Sequence, residues 1–391
     1  MKKELFLWGV CAALFCITSC TKSESAVVEE PPKVEEPTKP TEPETPKQDT
    51  VRFMSYSRSD AAQETARMLQ SYPAADFVPT GIYLPPMTEM IVKVNRVSGD
   101  YMPQLLVGTY FRGPAYNSSI VKSTLLKQGE NRIMSEHGGL VYVRHTGVKN
   151  AHQAELQFVK GHKPAPFYQK GKTTKADWKK MLEEYRYSPD AVLFGDKAII
   201  VVSRSKALLY TAYDQDELLN VAEKIHKYEE EISGMDSSAP IHDPKTCNFL
   251  MVESDDPNYY MAAWNNGTFY NSTNAAAYMI LFDPAKMNSW GPWHELGHHH
   301  QQSAYKWGGL GEVTVNIYSL YVEKKMGITP SRIKSGGTWP KIRTYLNQTS
   351  AKNYDNIEDL FIKLGMFHQL TLAYGDDFYK KLHKQAREEK P

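Results

Sequence analysis

The sequence predicts a multidomain α+β protein in which a β-sandwich-like N-terminal domain precedes a mainly helical domain. Runs of β-branched and aromatic residues, punctuated by Gly, Pro and Asn, dominate residues 51–205 and are typical of short strands. Apolar residues at helical spacing dominate residues 206–391. The roughly 340 residues that follow residue 50 suffice for two domains with separate cores.

The first twenty residues have the pattern of a bacterial lipoprotein leader. Lys2 and Lys3 precede an apolar run over residues 5–17, which is too short to span a bilayer as a permanent helix. Small residues then precede Cys20, as they do in lipoprotein signals. We expect removal of residues 1–19 and attachment of lipid to Cys20, which would anchor the protein in the bacterial cell envelope, at the outer membrane or cell surface.

Residues 20–50 form the next segment and consist largely of Glu, Pro, Lys and Thr. This composition buries too little apolar surface to offset the entropy lost on ordering, so we expect a disordered tether between the lipid and the folded domains. A Pro-rich ligand for a partner domain is the alternative, although no repeated x-Pro-x-x-Pro unit stands out.

Cysteine usage and charge exclude several other classes. Of the four cysteines, Cys11 and Cys16 leave with the leader and Cys20 is lipidated, so only Cys247 remains and no internal disulfide can form. Cys247 lies in an apolar run, where we expect a buried core residue rather than a nucleophile. The formal net charge is +1, and basic and acidic residues are interspersed along the chain. The sequence therefore has no basic patch that would indicate a nucleic-acid partner.

Strand signals define the N-terminal domain. We predict strands over residues 91–97, 105–111, 140–144, 191–194 and 197–202. Gly195 and Asp196 separate the last two runs and are typical of a two-residue hairpin turn. Short strands with frequent turns favour a β-sandwich.

Helix signals dominate the second domain. Asp214 and Glu217 form a start of the capping-box type, and Gly234 ends a helix predicted over residues 214–233. Further helices are predicted over residues 356–374 and 377–388. Strands are predicted over residues 249–253 and 275–282.

The most informative stretch is Gly-Pro-Trp-His-Glu-Leu-Gly-His-His-His-Gln-Gln at residues 291–302. On a helix, His294 and His298 lie on one face about one turn apart, which suits two ligands of one metal ion. Glu295 then lies close enough to take the proton of a metal-bound water as a general base. Pro292 favours a helix start, and we expect Leu296 and the Gln pair to continue the helix.

A catalytic zinc ion requires a third protein ligand. Glu312 is the next acidic residue, in a segment that reads as a second helix between a Gly-rich turn and Gly327. Two helices joined by a turn would bring Glu312 back to the histidine pair. His299 and His300 are expected to be a solvated helix face or an adventitious chelator.

The two helical segments resemble those of the enhancin-like zinc metallopeptidases, gluzincins that cleave mucins and other O-glycosylated proteins. The resemblance rests on His-Glu-Leu-Gly-His-x-His-Gln and Glu-Val-Thr-Val-Asn-Ile-Tyr-Ser, and it extends from about residue 51 to the end. It implies a gluzincin catalytic domain that binds Zn2+ through His294, His298 and Glu312. It also implies that Glu295 is the base and that Asn316 orients a ligand histidine.

Members of that family carry a β-rich domain before the peptidase domain, and they usually continue further. The domain at residues 206–391 is therefore expected to be C-terminally short, or the chain to be incomplete. The transition-state-stabilising residue stays open, with Tyr318 and His368 as candidates.

Aromatic and amide side chains near the motif are candidate contacts for a sugar. The candidates are Trp264, Asn265, Asn266 and Tyr270. Residues 275–278, including Ala276 and Tyr278, resemble the edge strand that binds extended substrate in such peptidases. The alternative interpretation of each of these residues is an ordinary position in the hydrophobic core.

We therefore expect a surface-anchored zinc metalloendopeptidase that hydrolyses mucin-like O-glycosylated proteins through a zinc-bound water activated by Glu295. The alternatives are a zinc protease indifferent to glycans, and a lipid-tethered glycan- or protein-binding module with a non-catalytic metal site. Glu295 favours an enzyme, because a structural metal site needs no base beside its ligands.

Overall fold

The computed structural model describes residues 49–113 and 120–390. The predicted signal peptide, Cys20 and residues 21–48 of the tether lie outside the described residues. Within the described part, none of the helices combines the length and apolar character that crossing a membrane requires.

The described strands are distributed along the first 271 residues. They are β1 (Val51–Tyr56), β2 (Phe77–Leu84), β3 (Glu89–Ser98), β4 (Gln104–Val107), β5 (Lys122–Leu125), β6 (Gly129–Met134), β7 (Gly139–Arg144), β8 (Gln153–Lys160), β9 (Lys163–Pro164), β10 (Phe167–Gln169), β11 (Asp190–Phe194), β12 (Ala198–Ser203), β13 (Phe249–Ser254), β14 (Met261–Trp264) and β15 (Gly267–Asn271).

The described helices are concentrated in the second half of the chain. They are α1 (Ala61–Met68), α2 (Lys175–Glu184), α3 (Arg204–Leu209), α4 (Gln215–Ile232), α5 (Ala275–Tyr278), α6 (Pro284–Met287), α7 (Trp290–Gly297), α8 (Gly311–Thr314), α9 (Asn316–Lys325), α10 (Arg332–Ser335), α11 (Thr338–Leu346), α12 (Leu360–Tyr374) and α13 (Asp377–Glu389).

Two sheets form the N-terminal part, with strand orders β1-β8-β3-β6 and β5-β4-β7-β2-β9. Alternate residues of their strands point inward and share one apolar cluster, to which Val92, Leu105, Val141 and Phe158 contribute from both sheets. The two sheets therefore pack face to face, as in a β-sandwich.

A third sheet, with strand order β10-β11-β12-β13-β15-β14, supports the second half of the molecule. Its central strands β12 and β13 are parallel and buried on both faces, which explains their continuous apolar sequences. One face packs on the second N-terminal sheet, and the other packs on α4 and α7. The sheet is thus the floor on which α7 lies.

The third sheet bears on the domain boundary expected at residue 205. The hairpin between β11 and β12 has the antiparallel pairing that the sequence predicts, but β12 pairs directly with β13. A boundary at residue 205 would therefore divide a continuous sheet. A boundary between β8 and β10 keeps the sheet whole.

The prediction of a strand over residues 275–282 is wrong. Residues Ala275–Tyr278 form α5, and Met279–Leu281 continue it as a short 3-10 helix. The side chain of Asn274 accepts a hydrogen bond from the Ala276 amide and so caps the helix.

The longer helices agree with their sequence signals. Asp214 caps α4, and its side chain accepts a hydrogen bond from the Glu217 amide at 3.0 Å. The helices predicted near the C-terminus correspond to α12 and α13. Cys247 is buried with a free thiol, as the apolar run around it predicts.

Candidate metal and catalytic site

Helix α7 carries the first part of the site. Pro292 occupies its third position rather than its first, and the helix ends at Gly297. His298 follows with helical angles, φ −61° and ψ −27°, so it keeps the i to i+4 relation to His294. The Gln pair does not continue the helix, because two turn residues follow His298.

A close approach between α7 and α9 fixes the second part of the site. A Cβ atom on Gly297 would lie 3.1 Å from Val315 Cγ2 and 3.3 Å from Tyr318 Cβ. Glycine therefore allows the two helices to pack at this distance. The crossing places α8, which precedes α9, beside the histidine pair.

Three donor atoms converge at this crossing. Glu312 Oε2 lies 2.8 Å from His294 Nε2 and 3.6 Å from His298 Nε2. Two ligands of a tetrahedral zinc ion, each roughly 2.0–2.1 Å from the metal, are separated by about 3.3 Å. The observed spacing therefore fits a zinc ion, and the exposed carboxylate of Glu312 opens the site to solvent.

Asn316 orients the ring of His294. Its Nδ2 donates to the Glu312 carbonyl at 2.8 Å, so its Oδ1 faces His294 Nδ1, also at 2.8 Å. Because Oδ1 only accepts, the hydrogen of the neutral imidazole lies on Nδ1. The lone pair of Nε2 is then directed toward the metal position.

Gln301 has the same relation to His298 and was not found from the sequence. Its Nε2 donates to the Gly311 carbonyl at 2.7 Å and to Thr314 Oγ1 at 2.6 Å. Its Oε1 therefore faces His298 Nδ1 at 3.1 Å. An amide three residues after a ligand histidine is the only sequence signal for this role.

Glu295 is only 8% exposed and is not one of the three converging donor residues. Burial raises the pKa of its carboxyl, the nearby His294 and His298 oppose that shift, and the charge of Glu312 adds to it. By contrast, hydrogen bonding to the same two histidines lowers the pKa of Glu312. The pKa values of the two carboxyl groups are thus shifted in opposite directions.

Tyr72 reaches the site from the N-terminal part of the chain. Its ring centroid lies 6.3 Å from that of His298 and 5.6 Å from that of Trp264. Burial raises the pKa of Tyr72, and the charges of Glu312 and Glu295 raise it further, so its hydroxyl stays protonated. No local motif marks this residue, because only the tertiary fold brings it here.

The segment before Tyr72 is held against the turn that follows α7. Gln302 Nε2 donates to the Met68 carbonyl at 3.1 Å, and the Ser303 amide donates to the Leu69 carbonyl at 2.9 Å. Gln70 and Gln302 also form a β-bridge. Residues that precede β2 therefore lie beside the donor atoms on one side of the site.

The predicted sugar contacts separate into two groups. Trp264 is 54% exposed and Asn265 is also exposed, at the turn between β14 and β15. Asn266 holds the turn with φ 77°, and its amide donates to the Pro73 carbonyl. Tyr270 is fully buried in the core under α7, so it is not a surface contact for a sugar.

Ala276 and Tyr278 do not lie on an edge strand, since α5 replaces the predicted strand. Tyr278 packs instead beneath Lys206, whose Nζ lies 4.0 Å from the ring centroid. The edge of the third sheet nearest α7 is β14, which pairs only with β15 among the described strands. Its first residue, Met261, packs against Gly291 of α7.

Other predictions about side chains near the motif need correction. His299 and His300 are buried rather than solvated. Tyr318 is also buried, and its hydroxyl donates to the His300 carbonyl at 2.7 Å, which makes it a core residue. His368 packs against Trp339, with 6.1 Å between ring centroids, and is not part of the converging group of His294, His298 and Glu312.

Comparison with protein families gives two matches. Residues 161–391 match the family described as peptidase M60, enhancin and enhancin-like. Residues 59–158 match the N-terminal domain of M60-like peptidases. The resemblance seen in the motif residues is therefore confirmed, and the two matches meet at the end of β8.

Several curated proteins from animals are similar in sequence to this chain. TRPM8 channel-associated factor 1 of Homo sapiens is 23% identical over 330 residues, which cover 79% of this chain and 33% of that protein. The TRPM8 channel-associated factor homolog of Danio rerio is 23% identical over 324 residues, which cover 78% of this chain and 34% of that protein. The chain thus spans about a third of the length of these relatives.

Solved structures share the fold. A functionally unknown conserved protein from Bacillus anthracis str. Ames has a TM-score of 0.77 and 29% identity, covering 87% of this chain and 68% of that one. The M60 catalytic domain of Clostridium perfringens ZmpC, in complex with the sialyl T antigen, has a TM-score of 0.72 and 20% identity, covering 86% and 70%. A metallopeptidase in complex with Tn antigen has a TM-score of 0.69 and 20% identity, covering 86% and 64%.

Proposed function

The chain belongs to the peptidase M60, enhancin and enhancin-like family, and from this premise we propose that it is a zinc metalloendopeptidase acting on O-glycosylated proteins. The convergence of His294 Nε2, His298 Nε2 and Glu312 Oε2 beside the buried Glu295 carries the proposal. A zinc ion held there would act as a Lewis acid and lower the pKa of a bound water to about 7.

The chain's own residues supply the proton transfer and the hydrogen bonds. Glu295 accepts the proton of the attacking water and returns it to the leaving amine, a role suited by a pKa above the ordinary range. Tyr72 offers a protonated hydroxyl close to the same carboxylates. It can donate to the negative charge that develops on the scissile carbonyl oxygen.

Strand β14 provides the site for the peptide. It is one edge of the third sheet, pairs with β15 alone among the described strands, and runs beside α7, so a further strand can add to its other side. A substrate added to this edge is bound through its backbone and lies extended past the metal site. This gives β14 the role that the sequence assigned to residues 275–278.

Trp264 and Asn265 provide the site for the sugar. They lie at the end of β14, and the Trp264 ring contacts Tyr72 while half of its surface remains exposed. An aromatic face beside an amide suits stacking and hydrogen bonding to a sugar on Ser or Thr. The solved relatives in complex with sialyl T antigen and Tn antigen support this substrate class.

We also propose that the protein acts at a bacterial surface, anchored by lipid on Cys20. This rests on the N-terminal sequence, in which basic residues, a short apolar run and small residues precede that cysteine. A tether rich in Pro and Glu would then give the catalytic part its reach.

The test is cleavage of an O-glycosylated Ser/Thr peptide and of its bare counterpart, followed by mass spectrometry. We expect cleavage next to the modified residue, with the bare peptide cut at least about tenfold more slowly, or roughly 1.4 kcal/mol in transition-state binding. Equal cleavage rates for the two peptides would contradict the proposed glycan preference but would still support peptidase activity. Cleavage of neither peptide by the zinc-loaded protein would contradict both.

A matched pair of variants localises the sugar contact. Trp264→Ala should reduce the preference for the glycosylated peptide without slowing cleavage of the bare one. Val148→Ala removes an exposed side chain between β7 and β8 and should change neither rate. If Trp264→Ala kept the same preference for the glycosylated peptide as the unmodified protein, the sugar would bind elsewhere.

A further inference from the structure

A second cluster of potential metal ligands lies outside the catalytic site. It consists of His226 and Glu229 on α4 and His300 in the turn after α7. One nitrogen or oxygen of each residue lies within 4.8 Å of the others. All three residues are buried, and His300 and Glu229 have no exposed surface.

The spacing within this cluster fits a tetrahedral ion. His226 Nδ1 lies 3.3 Å from His300 Nε2, which in turn lies 3.7 Å from Glu229 Oε2. Ligands on zinc are expected about 3.3 Å apart. His226 and Glu229 are three residues apart on one helix, so both side chains leave the same face of α4.

The carboxylate of Glu229 lacks any other partner. Neither of its oxygens accepts a hydrogen bond, although the side chain is completely buried. Lys245 is a nearby cation, but its ammonium donates to Gln70 Oε1 at 2.7 Å and to the His299 carbonyl at 3.0 Å. A buried, unpaired carboxylate is costly, and a bound cation would remove that cost.

The outer nitrogens of both histidines face polar groups, as they do in metal sites. Glu230 Oε1 lies 3.3 Å from His226 Nε2, close enough for charge interaction although not aligned as a hydrogen bond. Ser233 Oγ lies 3.5 Å from His300 Nδ1 and donates its own hydrogen to the Glu229 carbonyl. Its oxygen is therefore free to accept from His300 Nδ1.

We propose that His226, Glu229 and His300 bind a second divalent metal ion with a structural role. Two imidazoles and one carboxylate suit Zn2+. Full burial leaves no opening for a substrate, which separates this site from the exposed one at Glu312. The ion would join α4 to the turn that begins directly after His298.

Without an ion, burial raises the pKa of Glu229 well above its ordinary value, and the side chain would be a neutral acid. A cluster that binds a metal ion and a metal-free cluster with protonated Glu229 should respond differently to the substitution Glu229→Gln. The neutral amide closely imitates a protonated acid, but it is a poor zinc ligand. This substitution therefore distinguishes the bound metal from the metal-free cluster.

In the first experiment, the full-length protein is incubated with Zn2+ and desalted. The number of zinc ions per chain is then measured by elemental mass spectrometry. We expect two ions in the unmodified protein, one in Glu229→Gln, one in His298→Ala and none in the combined variant. Glu231→Gln changes a neighbouring carboxylate of α4 that bonds Tyr321 and Lys325 instead, and it should retain two. One ion in the unmodified protein, unchanged in Glu229→Gln, would overturn the proposal.

The second experiment remains informative if a variant folds poorly. In a His294→Ala/His298→Ala background, which lacks the exposed site, added Zn2+ should raise the thermal midpoint. The rise should disappear on adding either Glu229→Gln or His226→Gln. An equal response with and without these changes would contradict a metal at this cluster.

Discussion

His294 and Glu312 place a ring nitrogen and a carboxylate oxygen 2.8 Å apart across an 18-residue separation in the chain. One belongs to α7 and the other to α8, so the contact depends on how α7 and the α8–α9 pair cross. The crossing is fixed by tight packing at Gly297 and by Asn316, which bonds both His294 and the backbone of Glu312.

Removal of a catalytic-site ligand should therefore remove one zinc ion. In Glu312→Ala or His298→Ala, we expect the zinc content to fall by one ion per chain, since two remaining donors bind weakly. Glu358→Ala, which alters an exposed carboxylate, is the control. Undiminished zinc in both ligand variants would show that the ion binds elsewhere.

Glu295→Gln should separate chemistry from metal binding. The amide preserves shape but cannot accept the proton, so we expect normal zinc content and a fall in kcat of about 10²–10⁴-fold. The measurements are peptide hydrolysis and metal analysis on the same sample. Activity equal to that of the unmodified protein would assign the base to another residue.

Asn316→Ala and Gln301→Ala should weaken zinc binding while leaving all three ligands in place. Each variant loses the amide oxygen that accepts a hydrogen bond from Nδ1 of a histidine and so keeps the hydrogen on that nitrogen. The expected loss in zinc affinity is about 10–100-fold. Competition with a chelator measures this loss. Asn316→Asp and Gln301→Glu keep an acceptor oxygen and should recover part of the affinity, a result that a purely packing role would not produce.

Tyr72→Phe should lower kcat with little change in KM. The phenyl ring keeps the contact with Trp264 but removes the hydroxyl, and the loss of one such donor typically costs on the order of a hundredfold. Steady-state kinetics on the glycopeptide distinguish the two constants. A change in KM alone would make Tyr72 a substrate contact.

Cys20→Ala should release the protein from membranes, because lipid on that cysteine is the proposed anchor. Fractionation of the expressing cells, with detection of the protein in pellet and supernatant, measures the effect. Cys247→Ala changes a buried thiol and should leave the protein in the membrane fraction. Sedimentation of the Cys20 variant with membranes would refute lipid anchoring at this residue.

Short sequence patterns were sufficient to predict those elements whose structure depends on a single segment of the chain. The capping residues of α4 and the continuous apolar run of β13 could be interpreted without knowledge of their neighbours. The spacing of His294 and His298 likewise follows from helix geometry alone. Residues 275–278 show the limit, because a short apolar run has no periodicity and the cap at Asn274 was the decisive signal.

Features that depend on distant segments could not be predicted. His299 and His300 read as polar, but packing of α4 and of the segment near Tyr72 buries them. Tyr72 and Gln301 gain their roles only when α7, α8 and the chain before β2 meet. A single sequence contains no pairing information of this kind.

Hydrogen bonds from the Gln302 side chain and the Ser303 amide to the Met68 and Leu69 carbonyls join the two matched domains. A fragment that begins at residue 161 would keep His294, His298 and Glu312 but lose Tyr72 and its ring contacts with His298 and Trp264. The segment between α1 and β2 consequently contributes directly to the surroundings of the converging donor atoms. Substitutions near Tyr72 can therefore alter the site, although that segment contains none of the three converging donor residues.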